Sequence, residues 1–419
     1  MNPAKNNLFT LLAVLAISLL FAGTAGAQAE RNGEVWVGSW AASQQVPEPQ
    51  NALPLNDLQD ATVRQVVRLS VGGSALRIHI SNAFGAAPLL FTSVHIAHAV
   101  APGSSAIEPG TDRALTFSGA AEVTVPAGAE YISDPIDFPA APLSNLAISF
   151  HLEAPPAQET GHPGSRTTTY YLHGDFVADK DLPGAKQEAH WYQLSGVDVL
   201  AQAGAASVVA LGDSITDGHA TTTNGNDRWT DILAERLQVS PSTRDIGVLN
   251  EGIGGNHLLT DGLGPNVLSR FDRDVLAQTG VRWLILFEGV NDLGGLTREG
   301  PASPADHGAL VNRILSVYQQ IIVRAHAHGI RVIGATITPF AGSSYYHPGP
   351  ATESDREAIN AWIRAPGHFD ALLDFDKVVR DPDQPDRLLP AFDCGDHLHP
   401  NPWGYRALGS SIPLTLFAH

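Results

Sequence analysis

Between Val35 and Ala203 the apolar residues come in short runs broken by Gly and Pro, and several runs alternate strictly with polar positions. Leu76, Ile78 and Ile80 interleave with Arg77, His79 and Ser81, the period of a strand with one face on a core and the other in water. Seven such segments ("VWVGSWAA", "TVRQVVRLSVGG", "ALRIHISNAFG", "FTSVHIAHAV", "AEVTVPAG", "LAISFHLEA" and "TTTYYLHGDF") predict an all-β sandwich of the jelly-roll type. After Gly204-Ala205-Ala206 the rhythm changes. Apolar runs without alternation at 207–211, 246–250, 282–288, 330–336 and 370–375 read as buried strands of a parallel sheet, and amphipathic segments fill the gaps between them. Leu310, Ile314, Val317, Tyr318 and Ile321 share one face of a helix expected over 309–328, which Gly329 stops; Leu268, Phe271 and Val275 do the same over 267–278. The pattern predicts a β-sandwich over 30–204 followed by a three-layer α/β/α domain over 205–419.

Met1 to Asn7 carries Lys5 and leads into the apolar run Leu8 to Ala22, then Ala25-Gly26-Ala27. About 15 apolar residues fall short of the roughly 20 that span a bilayer. The order of charge, apolar run and Ala-x-Ala therefore reads as a signal peptide over 1–27, cleaved after Ala27, with a secreted or periplasmic product and no membrane anchor. Cleavage leaves 392 residues and moves the formal charge from -18 to -19, which disfavours nucleic acid and anionic membrane as partners. Cys394 is the only cysteine, so the fold is held by its cores rather than by an internal disulfide.

Candidate chemistry falls at the carboxyl ends of the predicted parallel strands, where open α/β sheets place their ligands. "GDSITDG" holds Ser214, "NEGIGGNH" holds Gly255, "FEGVNDLG" holds Asn291, and "DCGDHLHPNPWGY" holds Asp396 and His399. Each motif alone is weak, since Gly-Asp-Ser and Gly-Val-Asn-Asp are common turns. Cys394, Asp396, His397 and His399 are also all metal-ligand types. Taken together and in this order, the four motifs resemble the blocks of the SGNH (GDSL-type) hydrolases. That resemblance covers about 207–416, with Ile215 where the older name expects Leu, and implies a flavodoxin-like sheet and hydrolysis of carboxylic esters without metal or organic cofactor. It also implies that Ser214 attacks, His399 acts as base and Asp396 orients His399, with Ser214 N–H, Gly255 N–H and the Asn291 amide as the oxyanion hole. These roles suit the chemistry, because a serine hydroxyl needs a neutral imidazole held in one tautomer, and the tetrahedral intermediate needs preorganised donors. Gly252 and Gly254 stand as alternatives to Gly255. His397 is expected to be a neighbour, and activity is expected to fall on the acid side near the ordinary imidazole value, about 6.5.

The partner expected is a small-molecule or carbohydrate ester, with short-chain and sugar O-acetyl esters foremost, since no long amphipathic lid suggests a lipase. Tyr345, Tyr346 and His347 lie on a loop that either lines the rim or packs beneath it. Trp36, Trp40, Tyr170, Tyr171, Trp191 and Tyr192 are candidates for a carbohydrate platform or for core. "SNAFG" is a candidate loop over the site. An acyltransferase, or a carbohydrate-binding protein on the same fold, is the alternative function.

Overall fold

A computed structural model of the chain describes residues 33–418; the expected signal peptide lies outside them. The first half builds two antiparallel sheets around one core. One sheet joins β1 (Val35–Ala41), β3 (Gly73–Ser81) and β7 (Leu194–Ala201) with two short strands; the other joins β2 (Ala61–Arg68), β4 (Ser93–His98), β5 (Asn145–Leu152) and β6 (Thr169–His173) with two short edge strands. Val37, Leu76, Ile78, Val197 and Val199 from the first sheet meet Val63, Val67, Ile96, Leu146, Ile148 and Phe150 from the second. The alternating apolar positions of β3 do face this core, but the opposite face is not wet. His79 and Ser81 are buried, with His79 held between Asp198 and Glu130 at 3.1 Å from each. Arg77 bonds Asp198 at 2.7 Å and covers the Trp36 ring.

The second half is a five-stranded parallel sheet of β8 (Ala206–Gly212), β9 (Ile246–Gly252), β10 (Val281–Phe287), β11 (Arg331–Ala335) and β12 (Ala371–Leu373). Its order, β9-β8-β10-β11-β12, puts the first strand second from one edge, the doubly wound arrangement whose ligand site lies where the connections diverge, at β8 and β10. The strands occur within two residues of the apolar runs read from the sequence. The long helix begins earlier than its apolar face, at Pro304, because Ser303 and Asp306 form a capping box ahead of it. The helix expected over 267–278 is α-helical only over Val267–Phe271 and then widens into a π-turn over Asp272–Leu276.

The two halves pack backbone against backbone. Gly38 N–H donates to Thr279 O at 2.9 Å and the Ser207 hydroxyl to Gly38 O at 3.0 Å. The Val248 amide donates to the Ser70 hydroxyl at 2.8 Å. β7 is buried along its whole length because it lies between β1 and β3 and sends Asp198 towards Thr279 of the second half, 2.7 Å away.

Candidate active site

β8 runs straight into the Gly-Asp-Ser turn. A side chain at Gly212 would lie 2.2 Å from the Thr216 hydroxyl and 2.4 Å from Phe287 O, so only glycine lets the chain turn this close to its neighbours. Asp213 then caps the short helix α1 (Ser214–Asp217), its carboxylate accepting from Ile215 N–H at 2.9 Å. Burial pushes the Asp213 carboxyl up to about 7, so near neutrality this cap is only partly ionised. Ser214 is thus presented at the carboxyl edge of the sheet, 7% exposed.

His399 and Asp396 arrive on the loop before α2 (Pro402–Ser411), whose start is set by Asn401 capping Trp403 N–H and Gly404 N–H. The Ser214 hydroxyl bonds His399 Nε2 at 2.8 Å, and His399 Nδ1 bonds Asp396 Oδ2 at 2.6 Å. The other Asp396 oxygen accepts from Leu398 N–H at 2.9 Å and His399 N–H at 2.8 Å. Burial alone would raise this carboxyl, but the hydrogen bonds from the His399 ring and backbone, with Leu398 N–H, outweigh it and hold Asp396 well below the usual range. His397 has φ +59° and bonds Asp393 at 2.6 Å, outside the Ser214, His399, Asp396 line.

Opposite His399, Asn291 opens the helix α3 (Val290–Thr297) after β10. Its amide orientation is determined by two partners: Asn291 Nδ2 donates to Asn256 O at 2.7 Å, and Oδ1 accepts from the Tyr346 hydroxyl at 2.6 Å. The second Nδ2 hydrogen is left for the cavity. Tyr346 is buried, in contact distance of Gly294, where a Cβ would fall 2.2 Å from its ring. Tyr345, by contrast, is 52% exposed and packs under the Arg298 guanidinium, 4.2 Å from the ring centroid. The paired tyrosines therefore divide between interior and rim. Gly255 has φ +71°, and a side chain there would also meet Leu263 at 2.9 Å. Ser214, Gly254, Gly255, Asn291, Asp396 and His399 line one cavity of about 600 Å³. Gly252 is instead packed on the backbone of Asp217.

Residues 210–407 match the model of the GDSL-like lipase/acylhydrolase family. This segment is a GDSL-like lipase/acylhydrolase domain. The acylhydrolase domain is that of a carboxylic ester hydrolase. It is similar to a GDSL-like lipase from Bacteroides thetaiotaomicron VPI-5482 (18% identity, 50% of this chain and 87% of that one, TM-score 0.36). It is also similar to an acetylxylan esterase, Axe2, from Geobacillus stearothermophilus (18%, 49% and 91%, 0.37) and to the acetyl xylan esterase AlAXEase (22%, 49% and 96%, 0.36). No curated protein matches the chain.

Beneath the acylhydrolase site, Arg270 is fully buried. Its guanidinium donates to Gly212 O at 3.0 Å, Glu251 O at 2.7 Å, Asn256 Oδ1 at 3.0 Å, the Ser43 hydroxyl at 2.7 Å and Asp274 at 3.0 Å. It ties the ends of β8 and β9 to the loop that carries Gly255. Asp292 completes that loop by accepting from Leu258 N–H and Leu259 N–H at 2.8 and 3.0 Å.

The β-sandwich reaches the acylhydrolase site through residues 162–168. His162 Nε2 bonds Asp217 at 2.9 Å and Nδ1 bonds Ser43 O at 2.8 Å. Arg228 donates to Ser165 O, and Arg166 donates to His219. The "SNAFG" loop is elsewhere: Phe84 lies under Arg273 and lines no part of the cavity. Trp40, Tyr170, Tyr171, Trp191 and Tyr192 are buried in the sandwich, so these rings are core rather than platform, while Trp36 is half-buried beneath Arg77. Tyr346 was a candidate from its loop, but nothing in the sequence marked Arg166, His219 or Arg270 for the site, because their partners here include residues far away along the chain.

Proposed function

We propose that this protein is a secreted serine esterase that hydrolyses short-chain carboxylic esters, sugar O-acetyl esters foremost, through an acyl-enzyme on Ser214. The observation that carries this reading is the unbroken line from the Ser214 hydroxyl through His399 to Asp396, facing Gly255 and the Asn291 amide across one cavity. Export is supported by the leader-like first 27 residues. The sugar preference is supported by export together with Tyr345 and Arg298 at the cavity rim, an exposed aromatic ring and a hydrogen-bond donor that suit a hydroxyl-rich substrate.

In this mechanism His399 Nε2 takes the Ser214 proton as Oγ attacks the carbonyl carbon, and Asp396 keeps the Nδ1 proton in place and stabilises the imidazolium. Charge on the carbonyl oxygen is met by Ser214 N–H, Gly255 N–H and the free Asn291 N–H. His399 then gives the proton to the departing alcohol, and water repeats the sequence on the acyl-enzyme.

The test is the pH profile of kcat/KM for p-nitrophenyl acetate. Activity should fall on the acid side with the uptake of one proton, as the base becomes an imidazolium. Because Asp396 is held ionised far below that range, it should add no acid limb of its own. A profile flat from about pH 4 to 9 contradicts the assignment of His399 as base.

Tyr346→Phe gives a second expected outcome. Phenylalanine still fills the space against Gly294, but Asn291 Oδ1 loses its donor and the amide loses its fixed orientation. kcat should drop about tenfold, with KM changed less than about twofold. Steady-state kinetics on the same ester measures both.

A further inference from the structure

His219, two residues beyond the nucleophile helix, lines the same cavity, and no role in the chemistry above falls to it. Its ring lies 4.0 Å from the His399 ring, centroid to centroid, tilted by 36°. A ring nitrogen of His219 lies within 4.8 Å of one in His399 and of an Asp396 oxygen. The backbone is pinned at both ends: His219 N–H donates to Ser214 O at 2.8 Å, and His219 O accepts from the Tyr405 hydroxyl at 2.7 Å.

The side chain is oriented from the β-sandwich. Arg166 Nη2 stands 3.1 Å from His219 Nδ1. A guanidinium only donates, so Nδ1 must carry the lone pair and Nε2 the hydrogen. The ring is therefore a neutral imidazole of one defined tautomer. Its enclosure, then the neighbouring His399 and Arg166, lower its protonation to about pH 4, so it stays in that form at working pH. Nε2–H makes no hydrogen bond to the described residues. It is a donor without a recorded protein acceptor, on a ring packed against that of His399.

The position of that donor identifies what it meets. His399 Nε2 must hand its proton to the leaving oxygen, so the alcohol half of the ester lies at His399, and the ring packed on His399 is His219. We infer that His219, its tautomer set by Arg166, donates Nε2–H to an oxygen of the alcohol portion, and so selects esters of sugars and other polyols over esters of simple alcohols. The inference rests on the Ser214 esterase reading and deepens it. It also gives the sandwich a part in recognition: Arg166 is a positioning residue, and His219 is the specificity residue that it holds.

The experiment compares kcat/KM for glycerol monoacetate with that for propyl acetate, which has the same carbon skeleton without the hydroxyls. The wild-type protein should prefer the glycerol ester. His219→Phe should lower that preference, read as the ratio of the two kcat/KM values, about tenfold, the loss of one hydrogen bond to substrate. His219→Gln, which keeps an N–H donor, should retain most of the preference. Arg166→Met, which frees the tautomer, should lose part of it. A preference unchanged in His219→Phe, or an equal loss on both esters, overturns the inference while leaving the esterase reading intact. Wild-type protein that is folded yet turns over neither ester overturns the esterase reading itself.

Discussion

Ser214→Ala is expected to lower ester hydrolysis by about 10⁴- to 10⁶-fold while the protein keeps its thermal stability to within about 1 kcal/mol. The nucleophile carries the covalent step, so no neighbouring group can replace it. Background rate left in the variant comes from the donors around the carbonyl oxygen, which still bind and polarise the ester. Folding should be spared because the turn is maintained by other groups. Gly212 makes the close approach, Asp213 caps the helix, and Gly218 closes it in the left-handed region. The Ser214 hydroxyl itself bonds only His399 among the described residues. Assay of the purified variant beside its unfolding curve separates the two outcomes. A variant that loses its fold together with its activity would assign Ser214 to the turn instead of the chemistry.

Arg270→Met should be the most damaging substitution away from the reacting atoms. Methionine keeps much of the volume but withdraws the guanidinium donors from Gly212 O, Glu251 O and Asn256 Oδ1. Gly212 O keeps Ile253 N–H at 3.0 Å and Glu251 O keeps the Ser43 hydroxyl at 3.4 Å, so Asn256 Oδ1 is the acceptor that loses its donor. Burial pushes the Glu251 carboxyl well above its ordinary range. Asp274 is also buried, but Arg273 and Arg270 outweigh that and hold it low. Removing Arg270 leaves Asp274 with Arg273 at 2.7 Å but exposes the imbalance of the whole cluster. A loss of about 3 to 5 kcal/mol is expected, or roughly 10 °C in Tm for a domain of this size. Turnover should fall too, since the strand ends that carry Ser214 and Gly255 are no longer tied together. Thermal unfolding checks this, and an unchanged Tm would mean that Arg270 merely fills space.

The parallel sheet was legible because its strands are buried on both faces and so appear as unbroken apolar runs between amphipathic helices. Three of the four motifs were legible for a related reason: each sits where such a run stops, whereas the block with Asp396 and His399 lies beyond the last strand and the short helix Phe375–Val379. Leu194–Ala201 carries no strand signal of its own in the sequence, although it is central to its sheet. Burial on both faces, with Gly196 under His79 and Asp198 between Arg77 and Thr279, erased the alternation that marks a sandwich strand. The wet face expected for Gly73–Ser81 was misplaced because the polar residues there answer to partners in other strands and in the second half. Tyr346 illustrates the limit at the site. Its loop announced itself by composition, but which tyrosine turns inward depends on the gap at Gly294, fifty-two positions earlier. Arg166 and His219 likewise meet only because the sandwich is seated on the acylhydrolase domain.

The most direct test of the central claim is to treat the folded protein with a fluorophosphonate, which reacts with activated serine hydroxyls, and to locate the adduct by peptide mass spectrometry. The account predicts one adduct, on Ser214, formed in step with the loss of esterase activity and slowed when His399 is replaced by alanine. An adduct on a different residue that tracks the loss of activity, or full activity with Ser214 modified, would contradict it.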